Sequence, residues 1–344
     1  MFELTPEQIL EYGRDCQKGN LLGIQPFMIP LDFASQDSFY SKLNHYLHLS
    51  AQKGWINERT IAVFPEYIGT WLVAAGEKPG VYHSKRLDQA MFSVAFNHSL
   101  SLARTIISAT EKEKIKAGLF RVKSKLMAQI YQDVFSQLAK KYHCTLVGGS
   151  IVLPAPQIKD GVVMVTNGPL YNVSVIYRPD GSADPKLVRK VFPIMTESTF
   201  IARASLIDLP VFDTPAGKLG VLICADAWYP ASYERLMQLG VDIIAVPSYI
   251  SGQFVWDNPW EGYNGAPTPG DVNQDDIGRI TEGQAWDKYA LSRISQTNAR
   301  YGINVSINGI LWDLGCDGRS SLIQDNSIVI TSSIGPAILN LWLS

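Results

Sequence analysis

The stretch "KLGVLICADAWYP", residues 218–230, runs Leu219, Val221, Leu222 and Ile223 up to Cys224, then breaks into an acid, two aromatic residues and a proline. A short apolar run bounded by turn-forming residues reads as a buried strand. The next residues place Tyr233, Leu236, Met237 and Leu239 on an inward helical face, with Glu234 and Arg235 outward. "VDIIAVPS" (241–248) is a further strand. Strand, helix, strand marks an α/β architecture. Cys224 then has two readings: one more core residue, or a nucleophile carried to the rim of a sheet.

Earlier in the chain the pattern repeats. "LLGIQPFM" (21–28) reads as a strand, Phe39, Leu43, Tyr46 and Leu47 share a helical face, and "RTIAVFPE" (59–66) is a strand ending on Pro65 and Glu66. From 84 to 142 two long helices are expected, the second with Leu119, Val122, Leu126, Ile130 and Phe135 along one stripe. Short strands follow at 145–153, 161–182 and 186–193, with "PDG" marking a hairpin turn. Residues 251–285 form a long Gly/Pro/Asp-rich loop, and a loop of that length inside a compact domain is usually functional. No solenoid-period repeat and no dividing linker appears, so 1–344 is expected to be one domain, with a helical addition at about 76–142.

Composition narrows the class. The 344 residues are 46% hydrophobic and 18% charged, with a formal net charge of −2. That charge offers no long-range attraction to nucleic acid or an acidic membrane. No apolar run reaches the length of a membrane span. Four cysteines, Cys16, Cys144, Cys224 and Cys316, stand far apart without a CxxC pair, which fits a reducing compartment and a cytoplasmic protein better than a disulfide framework or a zinc site. The basic second helix of the 84–142 region reads either as a solvated face over a core stripe or as a surface for lipid.

All five histidines lie in the first 143 residues, so nothing near Cys224 supplies an imidazole partner. A thiol can use a carboxylate base and a cationic or N–H stabiliser instead. Glu66 sits just past a buried strand and Lys190 within another strand-like run. Both are costly to bury unpaired, which argues that they pair with each other at a polar site.

"FPE" (64–66), "RKVFPIMTE" (189–197) and "GVLICADAWYP" (220–230), in that order, resemble the three motif regions of the nitrilase superfamily of carbon–nitrogen hydrolases. The flanking "GPLYNVSVIYRPDGS" and "GVDIIAVPS" agree, whereas 76–142 is longer than the family's usual connection. The resemblance implies a four-layer α-β-β-α sandwich of two mixed sheets, with Glu66 as general base, Lys190 as stabilising lysine, Cys224 as nucleophile and Glu197 as a second glutamate. It implies a thioester route that releases ammonia or amine and an acid, with no cofactor, no metal, and pairing into a dimer or larger homo-oligomer. A lysine beside Cys224 at the mouth of a helix is expected to favour thiolate, with the Ala225 N–H facing the substrate carbonyl.

True nitrilases commonly carry tryptophan and glutamate directly after the cysteine. Ala225 and Asp226 stand there in this chain, which favours an amide or carbamoyl substrate over a nitrile. Tyr67, Trp228, Tyr229, Ser248 and Tyr249 follow motif strands and are expected to line the substrate pocket, with Phe254, Trp256, Trp260 and Tyr263 contributed by the loop. Such rings either receive an apolar or aromatic acyl group or simply anchor the loop. Arg293 and Arg300 are read either as partners for a substrate carboxylate or as surface ion-pair residues. The rivals are a nitrilase, an acyltransferase passing the thioester to an amine, and a non-catalytic scaffold of the same fold.

Overall fold

The computed structural model describes residues 8–344. Its centre is a pair of six-stranded sheets. One is ordered Ile9–Tyr12, Ala337–Trp342, Asn20–Gln25, Thr60–Val63, Thr145–Val147, Ile176–Tyr177. The other is ordered Val211–Thr214, Gly217–Val221, Ile243–Ser248, Tyr301–Ser306, Ser321–Gln324, Ser327–Thr331. Three neighbouring strands in each run parallel, and antiparallel strands flank them.

Period-two alternation assembles the layers. Leu21, Ile61, Val63 and Val147 of the first sheet join one core with Leu219, Val221, Ile303 and Val305 of the second. Their sequence neighbours Leu22, Ala62, Phe64 and Leu146 belong to a separate core under the helices Gln36–Gln52 and Lys114–Tyr142. On the far side Gly220 meets Leu236 of the helix Pro230–Gln238, because a Cβ there would lie 2.8 Å from Leu236 Cδ1. The result is the four-layer α-β-β-α sandwich.

Local departures from the sequence reading have identifiable causes. The first long helix is broken into Leu87–Asn97 and Ser99–Ser108 at His98, whose Nε2 lies 2.7 Å from Glu77 Oε1. Along Lys114–Tyr142, Leu126 is 38% exposed, whereas Met127, Tyr131, Val134 and Leu138 are buried beside Ile130 and Phe135. Met237 is also exposed, one residue before its helix ends. The run 145–153 is two strands in different sheets, Thr145–Val147 and Ile151–Pro154, separated by Gly148 and Gly149. Gly149 has φ +64°, and a Cβ there would collide with the Pro65 carbonyl. In 186–193 only Val188–Arg189 is strand.

The sheets meet closely at Gly23, where an added Cβ would sit 2.9 Å from Ile303 Cδ1 and 3.3 Å from Val305 Cγ2. Gly23→Val is therefore expected to lower stability by about 1–3 kcal/mol, as overpacked cores do. Urea unfolding should show a lower midpoint at an unchanged m-value.

Candidate active site

Cys224 opens the turn Cys224–Trp228, three residues past the strand Gly217–Val221, with φ +47°. A side chain in the left-handed region costs about 1–3 kcal/mol and persists only where surroundings hold it. Asp226 does the holding. Its Oδ2 accepts from Ile223 N at 3.3 Å, and its Oδ1 accepts from Val191 N at 2.9 Å and Phe192 N at 2.7 Å. The acid after the cysteine is thus a clamp that locks the lysine segment to the cysteine turn. Burial raises its carboxyl to about 7, against the pull of Lys190 and the three N–H groups.

Glu66 follows Thr60–Val63, and its segment is pinned by Phe64 N to Val147 O at 3.0 Å and Tyr67 N to Ser150 Oγ at 2.8 Å. Lys190 follows Val188–Arg189 and donates its N–H to Asn172 O at 2.9 Å. Glu197 begins the turn Glu197–Thr199 and accepts from Ile194 N at 2.8 Å. These three side chains converge. Lys190 Nζ lies 2.7 Å from Glu66 Oε1, 2.9 Å from Glu197 Oε1 and 2.8 Å from Glu197 Oε2. Asn172 Nδ2 donates to Glu66 Oε1 at 2.9 Å and Glu197 Oε1 at 3.4 Å, and the Tyr67 hydroxyl donates to Glu197. None of the three charged residues is more than 4% exposed. The Cys224 thiol faces both Glu66 and the Tyr249 carbonyl, 3.7 Å away.

The electrostatics follow from two carboxylates sharing one ammonium. Burial alone would lower the Lys190 ammonium, but Glu197 and Glu66 outweigh it and hold the group well above its ordinary value. Burial raises Glu66 more than Lys190 lowers it. Burial and then the Glu66 charge push the Cys224 thiol well above its usual range, and Lys190 does not reverse that. The expected resting thiolate is therefore corrected to a neutral thiol, since a third negative group is disfavoured in this dry cluster.

Cys224 and Ala225 lie in the wall of a cavity of about 1240 Å³, together with Tyr67, Glu197, Trp228, Tyr229 and Tyr249. Glu66 and Lys190 are seated behind the thiol and are not part of that wall. Ser248 departs from the sequence reading: it is fully buried, and its hydroxyl meets Asn304 Oδ1 inside the second sheet. In the 251–285 loop, Trp260 and Tyr263 line the cavity, Trp256 is buried elsewhere, and Phe254 is 67% exposed. The cavity rings also anchor the loop. Trp260 stacks on Trp228 at 5.7 Å, and the Tyr263 hydroxyl donates to Trp228 O at 2.8 Å. Neither arginine reaches the cavity, because Arg293 pairs with Asp271 and Arg300 with Asp325.

Asn172 is the residue of the candidate site that sequence reasoning missed; its signal is a lone amide in the apolar strand Leu170–Ser174. Cys144 and Cys316 are buried thiols raised to about 12 by burial, and Cys16 is exposed. Among the described residues, no group of three or more His, Cys, Asp or Glu is arranged to hold a metal, and no helix is long and apolar enough to cross a membrane.

Known proteins agree with this architecture. The carbon-nitrogen hydrolase family model matches residues 122–314, more than half of the chain, and the chain belongs to that family. A protein named "probable nitrilase" from Schizosaccharomyces pombe is 31% identical over 125 residues, covering 36% of this chain and 39% of its own. Nitrilase 3 of Arabidopsis thaliana is 31% identical over 113 residues, covering 33% of this chain and 29% of its own. The aligned stretch thus spans about two fifths or less of these curated relatives. In fold, the chain is similar to the amidase from Nesterenkonia sp. AN1, described with acrylamide added at its active-site cysteine: TM-score 0.57, 12% identity, 95% of this chain and 93% of that one.

Removing the shared cation would leave Glu66 and Glu197 unneutralised. Lys190→Met is expected to cost about 3–5 kcal/mol of stability near pH 8. Glu66, already raised, would rise further, so the folded variant binds a proton more readily than its unfolded chain. Its stability is then greatest at low pH and lost as pH rises through the folded value, so the deficit should shrink toward pH 5 in denaturant titrations.

Proposed function

We propose that the protein is a thiol-dependent amidase, hydrolysing an amide or carbamoyl carbon–nitrogen bond through a thioester on Cys224. The observation that carries this reading is a cysteine held at positive φ in a cavity wall, against a buried Glu66–Lys190–Glu197 row. The resting thiol is neutral, so its proton passes to Glu66 as Sγ bonds to the carbonyl carbon. Oxyanion charge is met by the Lys190 ammonium and the Ala225 N–H, and one such donor typically contributes about 3–4 kcal/mol. Glu66 returns the proton to the departing nitrogen, the C–N bond breaks, and ammonia or amine leaves a thioester. Water then loses a proton to Glu66, attacks the thioester carbon, and releases the acid as Sγ takes the proton back.

Glu197, Asn172 and Tyr67 act as positioning residues, since their hydrogen bonds keep Lys190 and Glu66 in place. Residues 1–344 are read as one catalytic unit that pairs into a homo-oligomer. Nitrile hydrolysis is the second reading, favoured by the nitrilase names of the curated relatives. In that case Sγ adds to the nitrile carbon as a thioimidate before water enters. Ala225 and Asp226 place the amide reading first, with Asp226 engaged in the backbone clamp.

Ammonia release from a panel of amides, carbamoyl compounds and nitriles is expected with the parent protein and absent with Cys224→Ala. Release from nitriles alone would overturn the amide ranking. Glu66→Gln should lower kcat/KM by about 10²–10⁴, the range for a lost general base.

A further inference from the structure

Resting on the amidase reading, we infer that the acyl group of the substrate is a long or bulky hydrocarbon, seated on the helical side of the cavity. At about 1240 Å³ the cavity exceeds the range of about 300–1,000 Å³ usual for small-molecule sites. An amide with one or two carbons would leave most of it unfilled.

Its walls differ in chemistry. Tyr67, beside the thiol, packs on the same small apolar cluster of Ala117, Val152, Leu170 and Ile201 as Phe120 and Phe200, whose rings stack at 5.7 Å with an interplanar angle of 4°. Leu87, Met91 and Ala95 of the helix Leu87–Asn97 extend the same wall. The charged side chains on this side are paired locally, Glu113 with Lys116 at 2.6 Å and Asp88 with Arg86 at 2.8 Å. They leave no unmatched charge for a polar substituent. The loop lines the cavity with Glu261 and Glu282 beside Trp260 and Tyr263, so the hydrocarbon is assigned to the helices, whose charges are paired. The mouth on the helical side is itself apolar, with Phe92 73% and Ile115 64% exposed. Hydrocarbon can therefore extend from the thiol to the surface without meeting an unpaired charge. The helices at 84–142 would thus select the acyl group.

The test is kcat/KM for straight-chain primary amides from acetamide to dodecanamide, with calorimetric binding of butanamide and decanamide to the Cys224→Ser protein. Each methylene moved from water into such a wall can raise affinity by up to about fourfold. At least a tenfold rise from butanamide to decanamide is expected in both measurements. Ala95→Trp, at a half-buried wall position, should cut the decanamide-to-butanamide ratio at least tenfold. Phe92→Ser, at an exposed position, should lower the same ratio without risk to folding. Preference for acetamide or butanamide, with binding indifferent to chain length, would overturn the acyl assignment and leave the amidase reading standing. Decanamide that binds at least tenfold tighter than butanamide but is never hydrolysed would uphold the acyl site and overturn the amidase reading.

Discussion

The Lys190 ammonium buried between Glu66 and Glu197 is the interaction on which the molecule is organised. Taking such ions out of water is expensive, and only near-ideal geometry and further hydrogen bonds offset it. The partners come from separate parts of the fold. Glu66 follows a strand of the first large sheet, while Asn172 and Lys190 belong to a small sheet of Val188–Arg189, Leu170–Ser174 and Ile151–Pro154 and its immediate continuation. Asp226 then joins that segment to the second large sheet through two N–H groups. A charge cluster of this kind fixes the relative placement of both sheets, because any slip would leave a buried ion unpaired.

The same cluster sets the state of the thiol. Burial, and then the Glu66 charge, hold the Cys224 thiol above its usual range, so Cys224 rests protonated; in the proposed mechanism it becomes nucleophilic only as Glu66 accepts its proton. Thiolate character governs reaction with oxidants and stray electrophiles. Under that proposal, a cysteine that is a thiolate only during attack is protected between turnovers, and its reactivity is coupled to a carbonyl already in place.

Much of this was legible in the chain because strands with both faces buried announce themselves. The runs ending at Glu66 and Cys224 are continuous apolar stretches that stop at a polar residue, and both residues stand at the site. Lys190 was legible for a different reason: a cation among apolar residues demands a partner. The illegible parts depend on side-chain direction across distance. Ser248 ends an apolar strand, close to where Glu66 stands on its own, yet its hydroxyl turns to Asn304 inside the sheet. Asn172 is unremarkable in sequence and acquires meaning only through two carboxylates 106 and 25 residues away. The thiol's protonation state was misjudged because proximity to Lys190 is visible in motif order, while burial and the excess of carboxylate are not. The break at His98 has no local periodicity to mark it; there the ring meets Glu77, a residue 21 positions earlier.

The first sheet carries one further consequence. Ala337–Trp342 lies between Ile9–Tyr12 and Asn20–Gln25, pairing with both. A nascent chain that has made Thr60–Val63 must wait for residue 342 before that position is filled, on the order of a quarter of a minute to a minute at ordinary translation rates. Until then Asn20–Gln25 presents an unpaired edge, the kind of surface that recruits strands from other chains. Closure by so distant a partner also means slow, non-local folding. The newly made chain therefore carries an open sheet edge for that interval, and its yield in cells should depend on how long that gap in the sheet stays open.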